Sequence, residues 1–424
     1  MLPYLFISFV VLLALGAPIA VVLGASSVFA LYFGSTFDMA LSAQRMFNAV
    51  ASFPLMAIPF FMLAGSLMEQ GGISKRIIRF ADALVGHLRG GLAIAGILAC
   101  MIFAAISGSA VATVAAIGAI IIPEMLERGY SRGLATCTIT AAGITGPIIP
   151  PSTLFVLYAS IAGVSVTKMF LGGYIPGILM GSCLIFVVIH KAKKEGVPTK
   201  PKATPREIWL AVKDAIWALL SPVIIMAGIL SGVCTPTEAG AVGCLYSFLV
   251  GLLIYRELSF KSLIAALKES AISSAIIMFL ISTASIFSWI LTVERVPQMI
   301  TDLFMSITDN KYVLMMLITI LLFIVGMLLD SAPAITMLVP VLLPMVKAYG
   351  IDPVFFGVVM TMNLCVGLLT PPVGTCLFVG CRVGKMQLTT LVKEIMPMLG
   401  VQIIVLLLCT FVEPIIMLLP RLLG

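Results

Sequence analysis

Apolar runs long enough to cross a bilayer follow one another along almost the whole chain, separated by short polar breaks. A spanning helix needs roughly 20 apolar residues at about 1.5 Å of rise each. Runs of that length cover 3–33, 48–69, 134–162, 170–190, 216–234, 238–255, 270–292, 353–381 and 395–420. The first predicts an uncleaved span, with Gly16-Ala17-Pro18 as its one candidate interruption. No basic residue precedes that run, and it exceeds the roughly 7–15 apolar residues of a signal peptide. Two further runs are broken: 92–126 at Ser107-Gly108-Ser109-Ala110, and 312–348 at Asp330-Ser331-Ala332-Pro333. Each half is expected to run about 15 residues, short of the roughly 20 that a crossing takes. Each pair therefore predicts a re-entrant helical hairpin that enters and leaves on one side with its tip at mid-membrane. Segments 70–89 and 257–269 are amphipathic and charged, and predict helices lying along the membrane surface.

Composition agrees with this pattern. Of 424 residues, 61% are hydrophobic and 10% charged, against roughly 45–50% and 25% in soluble domains. That excludes a soluble globule, a disordered chain, a disulfide scaffold and a coiled coil, and leaves an all-α polytopic membrane protein. The net charge of +7 does not indicate a nucleic-acid partner, because the basic residues sit in short loops between apolar runs. They set the topology by the positive-inside bias. The stretch 75–89, with Lys75, Arg76, Arg79 and Arg89, is expected to be cytoplasmic. So is the loop 191–213, which carries Lys191, Lys193, Lys194, Lys200, Lys202, Arg206 and Lys213. These assignments hold together only if 92–126 returns to the side it came from.

Enzymatic chemistry finds no support. The two histidines, His87 and His190, cannot build a zinc or haem site with nine scattered cysteines, which read as small packing residues. There is no Walker-type phosphate loop, no His-Glu-x-x-His and no assembly for a Ser/His/Asp triad. The chain is expected to be no enzyme, to hold no cofactor, and to draw on an ion gradient or another subunit.

Two halves of the chain correspond at one offset. Ile120-Ile121-Ile122-Pro123 faces Val341-Leu342-Leu343-Pro344, Pro150-Pro151 faces Pro371-Pro372, Gly146 faces Gly367 and Ser109 faces Asp330, each pair 221 residues apart. Five crossings lie between the hairpins, so the second copy is expected upside down. This predicts inverted-topology repeats: residues 1–190, a linker with a connecting span over 191–237, and residues 238–424. Inverted repeats with interrupted helices point to a secondary transporter's site. Interrupted helices leave free carbonyls, suited with hydroxyls to a small cation, and free amides suited to an anion. The first tip faces the break Gly143-Ile144-Thr145-Gly146-Pro147; the second, Asp330-Ser331, faces Asn363, Gly367, Thr370 and Pro371. Two roles are open for Asp330, an ion ligand or the cap of the helix that follows it. Small residues here also permit close helix packing.

These stretches carry a resemblance. Ile58-Pro59-Phe60-Phe61-Met62-Leu63-Ala64-Gly65, Ser107-Gly108-Ser109-Ala110-Val111-Ala112-Thr113, Ile148-Ile149-Pro150-Pro151-Ser152, Thr235-Pro236-Thr237-Glu238-Ala239-Gly240 and Leu369-Thr370-Pro371-Pro372-Val373-Gly374 make the chain similar, along its whole length, to the large membrane subunit of tripartite ATP-independent periplasmic transporters. The resemblance implies a bacterial inner-membrane protein that imports a small organic acid coupled to sodium by an elevator motion. It implies two partners, a small four-span membrane subunit, expected here as a separate chain, and a periplasmic substrate-binding protein. Carried over, one sodium site involves Ser107, Ser109, Gly143 and Gly146, and the other Asp330, Ser331, Gly367 and Thr370. Substrate is expected beside Thr145, Pro150, Asn363 and Pro371. A C4-dicarboxylate is favoured, with sialic or another sugar acid next. The rival reading is a sodium/carboxylate symporter that works without a binding protein; a channel is disfavoured, since no span has a polar face along its length.

Overall fold

The computed structural model describes residues 1–424, with side chains described for all but residues 104–106. Among the described residues it is all-helical, and nine stretches are long and apolar enough to cross a membrane. The expected first span divides: Leu2–Ala14 (α1) and Ile19–Gly34 (α2) are separate helices. Pro18 precedes α2 and has no N–H to continue α1. The two pack antiparallel, with a Cβ at Gly34 falling 2.9 Å from the Tyr4 ring. Ala40–Val50 (α3) and Ala57–Gln70 (α4) are parted by a tight turn over Phe53–Met56, where Pro54 withholds its donor. Ile73–Val85 (α5) is the expected amphipathic helix, entered through Gly72 at φ +75°.

The first broken run forms Gly91–Ser107 (α6) and Ala110–Glu127 (α7). Arg132–Gly143 (α8) and Thr153–Ala162 (α9) flank the next break, and Val166–Lys194 (α10) follows. Then come Pro205–Leu230 (α11) and Pro236–Leu249 (α12). Both begin with a capping box, Thr204 with Glu207 and Thr235 with Glu238, so Glu238 serves its own helix start. Phe260–Val293 (α13) is one continuous helix of 34 residues. The segment 257–269 is therefore no separate surface helix: no proline or glycine follows it to end the turn. Val296–Ile307 (α14) is an amphipathic helix that the mixed charges of 293–311 concealed.

The second broken run forms Lys311–Leu328 (α15) and Ser331–Ala348 (α16). Pro353–Gly367 (α17) and Thr375–Gly384 (α18) flank the last break, followed by Leu388–Phe411 (α19) and Pro414–Leu423 (α20). The expected span 395–420 is thus divided before Pro414. The legs of the two broken runs are also longer than expected. Three have 18 residues and α6 has 17, about 27 Å at 1.5 Å per residue. Length alone does not stop them from crossing.

Packing sorts the helices. One group joins α4 with α12 and α13, and α13 with α2 and α3. The other interlocks the broken elements across the halves: α7 lies on α18, α16 on α9, and α8 and α10 on α19. Tyr158 Oη of α9 donates to the Pro353 carbonyl of α17 at 2.7 Å. In the first broken run α6 and α7 pack on each other. In the second, α15 packs chiefly on α17 and hardly on α16.

The division of α1 from α2 has a direct check. A cysteine at Gly16 is expected to react with an impermeant thiol reagent from the cytoplasmic face, and one at Thr36 from the opposite face. Protection of Gly16→Cys from both sides would restore the single-span reading.

Candidate functional site

The first tip is two residues long because Gly108 takes φ +60°, a conformation that costs glycine nothing. Ser109 then caps α7, its Oγ accepting from the Ala112 N–H at 3.3 Å. Ser107 Oγ and Thr113 Oγ1 share a hydrogen bond of 3.1 Å, and Thr113 Oγ1 donates to the Ser109 carbonyl at 2.8 Å. Two hydroxyls therefore face each other beside the Ser109 cap, with lone pairs to spare. Thr153 Oγ1, at the start of α9, donates to the Gly108 carbonyl at 3.3 Å. The tip thus sits at the level of the break between α8 and α9, not beyond it.

That break is built from glycine and proline. Gly143 admits the Val114 side chain of α7 where a Cβ would stand. Gly146 N–H returns to the Gly143 carbonyl at 3.1 Å. Thr145 is buried, and its hydroxyl donates to the Ala142 carbonyl at 2.7 Å. Pro150-Pro151 is a cis peptide, and Ser152 restarts the chain as the cap of α9, bonding both the Pro147 carbonyl and the Phe155 N–H.

At the second tip Asp330 caps α16, with Oδ1 accepting from the Ser331 N–H at 2.8 Å. Its other oxygen has no hydrogen-bond or ion-pair partner among the described residues. Ser331 is buried, with an unpartnered hydroxyl. Gly326 and Gly367 stand backbone to backbone: a Cβ on Gly367 would lie 2.6 Å from the Gly326 carbonyl carbon. The Val373 N–H donates to the Met327 carbonyl at 3.2 Å, fixing the second break to α15. Thr370 Oγ1 donates to the Val366 carbonyl at 3.2 Å, and Pro371-Pro372 repeats the cis peptide. Pro372 and Val373 are exposed beside this tip.

The expected residues therefore fall into two constellations, each joining a tip to its own break. Ser107, Ser109, Gly143 and Gly146 lie in the first; Asp330, Ser331, Gly367 and Thr370 lie in the second. Hydroxyl, carbonyl and carboxylate oxygens are their donors, which suits a hard monovalent cation. Asn363 lies on α17, one turn before Gly367. It is fully buried, and its Nδ2 donates to the Thr319 carbonyl of α15 at 3.1 Å. Sequence reasoning missed Thr319, Gly326 and Thr153, which lie in apolar runs or beside a proline pair and carry no pattern of their own.

Comparison with known proteins adds identity to this geometry. The profile described as "Tripartite ATP-independent periplasmic transporter, DctM component" matches residues 6–415. The isethionate TRAP transporter permease protein DctMQ of Oleidesulfovibrio alaskensis is 41% identical over 98% of this chain, which spans 65% of that protein. The C4-dicarboxylate TRAP transporter large permease protein DctM of Vibrio cholerae is 40% identical over 99% of this chain and 97% of its own length. The crystal structure of the YdaH transporter of Alcanivorax borkumensis shares the fold, with a TM-score of 0.65 at 18% identity, over 96% of this chain and 98% of that one.

Closure of the Gly326–Gly367 contact can be tested through stability. Gly367→Ala places its methyl against backbone that no rotamer change can move, and is expected to cost about 1–3 kcal/mol. Gly400→Ala meets nothing within 4 Å and is expected to be neutral. Thermal unfolding in detergent separates them; equal midpoints would show that the two helices can part.

Proposed function

This chain belongs to the DctM component family of tripartite ATP-independent periplasmic transporters, and we propose that it carries a small organic anion across the membrane together with sodium ions, by an elevator motion. It is a multi-pass permease of the bacterial inner membrane, not an enzyme. The observation that carries the proposal is the convergence of oxygen donors where each tip meets its break.

The proposed architecture is a pair of inverted repeats, each with a re-entrant hairpin, α6–α7 or α15–α16, and a broken span, α8–α9 or α17–α18. Three features support it. α7 and α16 lie 221 residues apart at both ends. Gly129 and Gly350, at the same offset, both have positive φ, and Ser131 and Asp352 both cap the helix that follows. The Thr153 bond to Gly108 stops the first tip halfway along its broken span. Residues 1–190 form the first repeat in this reading. The offset sets α12 opposite α2 and α11 opposite α1, so the second repeat is taken to begin near 205, earlier than the boundary at 238 expected from the loops, and the linker shortens to match.

The proposed sodium ligands are Ser107, Ser109, Gly143 and Gly146 in the first half, and Asp330, Ser331, Gly367 and Thr370 in the second. Thr145, Pro150 and Pro371 face the proposed substrate position between the breaks. A periplasmic binding protein delivers the anion, and a small membrane subunit supports the scaffold of α1–α4 and α11–α13. Sodium neutralises the loaded body, since a bare charge costs several kcal/mol in hydrocarbon. A carboxylate such as a C4-dicarboxylate is the favoured cargo. The name of the Oleidesulfovibrio relative, which carries isethionate, extends the class to sulfonates.

The test is uptake into proteoliposomes holding the chain with both partners. Ser109→Ala and Asp330→Ala are each expected to raise the sodium concentration for half-maximal uptake at least tenfold, about 1.4 kcal/mol of binding. Unaltered sodium dependence in both would remove the ligand assignment.

A further inference from the structure

We propose that Asn363 is a positioning residue: its amide clamps α15 to α17, sets the Gly326–Gly367 contact, and so holds the second tip in the shape that binds the coupling ion. The inference rests on the sodium reading above. The clamp crosses an interface on which α15 depends, because α15 leans on α17 and has little contact with α16, its own partner leg. Among the described residues, the Asn363 Nδ2 bond to the Thr319 carbonyl, 3.1 Å, is the one side-chain hydrogen bond between these two helices. Four residues further along α17, one helical turn, Gly367 meets Gly326, and beyond them lie Met327, held by Val373, and Asp330. The rotation of α15 about its axis is therefore fixed at two levels, one polar and one steric.

Packing does not require these polar residues. The offset of 221 supplies a comparison inside the same chain: the positions matching Thr319 and Asn363 are Leu98 and Ala142. The first half fills the same place with apolar side chains and ties its tip through Thr153 instead. The second half accepts a penalty for its clamp. Asn363 Oδ1 and Thr319 Oγ1 are both buried without a partner. Thr361 on α17 and Thr370 just beyond it return their hydroxyls to the carbonyl four residues back; Thr319 does not. Buried polar atoms left in this state call for a reason, and an amide that can reach the carbonyl of a neighbouring helix supplies one.

The acceptor is the Thr319 backbone, which makes the test specific. Asn363→Leu and Asn363→Asp keep the side-chain size and remove the N–H donor; Thr319→Val keeps the acceptor and removes only the stray hydroxyl. Each variant is assayed in the complete reconstituted transporter for sodium dependence of uptake and for substrate KM at saturating sodium. Hydrogen exchange is measured in parallel on the amides of 327–331 and 107–109. The expected result is a five- to twentyfold loss of apparent sodium affinity in both Asn363 variants, with substrate KM unchanged, faster exchange at 327–331 and none at 107–109. Thr319→Val is expected to behave as wild type in uptake and to unfold at the same or a higher temperature. A raised substrate KM with unchanged sodium dependence would instead make Asn363 a substrate contact. A lowered unfolding temperature with neither changed would leave it a packing residue, and either result overturns the clamp. If wild-type uptake ignores sodium, the coupling reading fails by itself, and the exchange pattern still decides whether Asn363 holds the second tip.

Discussion

A helix interrupted inside a membrane leaves amides and carbonyls with no water to bind, at several kcal/mol for each that stays unpaired. The two breaks in this chain answer that constraint in one way: they remove donors and leave oxygens. Pro147, Pro150, Pro151, Pro371 and Pro372 carry no N–H, so the breaks hold fewer amides than carbonyls. Several of the amides that remain are taken up by caps, Ser109, Ser152 and Asp330, or by the bond from Val373 to Met327. What is left over is acceptor capacity on carbonyls, hydroxyls and one carboxylate, in a place where water is scarce. A region with that imbalance attracts cations before any particular ligand geometry is considered.

The same constraint explains what could be read from the sequence. Tips and breaks were legible because only Gly, Ser, Asp and Pro can end a helix there, and they stand out against Leu, Ile and Val. The correspondence at an offset of 221 followed from them. The helix boundaries were less legible. Gly16-Ala17-Pro18 marks a true turn between α1 and α2, yet in an apolar run it looks the same as the tolerated prolines inside α7 and α10. The start of α13 reads as a charged surface helix because Lys261, Lys268 and Glu269 lie on a stretch that simply continues inward. Asn363 was legible as a functional residue, since a buried amide in an apolar helix is conspicuous. Its direction was not, because sequence does not say that α15 and α17, forty residues apart, are neighbours.

The halves share a backbone plan and differ in charge. Where the first tip has Ser109, the second has Asp330, and where the first interface has Leu98 and Ala142, the second has Thr319 and Asn363. The first tip is neutral and is tied at its apex to Thr153. The second bears the carboxyl group of Asp330 at its apex and is tied further back by α17. A charged tip needs its counter-ion to be stable in a low-dielectric setting; a neutral tip does not. In the proposed scheme the second site is therefore the one whose occupancy most alters the energy of the moving body, and it is also the one whose supporting helix carries the extra clamp.

Charge balance then bears on the cargo. Asp330 contributes one negative charge, and two bound sodium ions in the proposed scheme contribute two positive ones. A monoanion such as a sulfonate brings the loaded body to neutrality, whereas a dianion leaves one negative charge. The N-termini of α9 and α18, which begin directly after the two proline pairs, offer partial positive charge of roughly half a unit each. They can offset part of that excess, but only for an anion held against both breaks at once. A dicarboxylate has two charged ends and can meet this condition; a short monoanion need not. In the proposed scheme, the packing of α9 on α16 and of α18 on α7 carries both N-termini along with the cargo. Discrimination between one and two charges in that scheme rests on whether an anion reaches both breaks at once, and a ligand drives the crossing only through the difference in its affinity for the two orientations of the moving body.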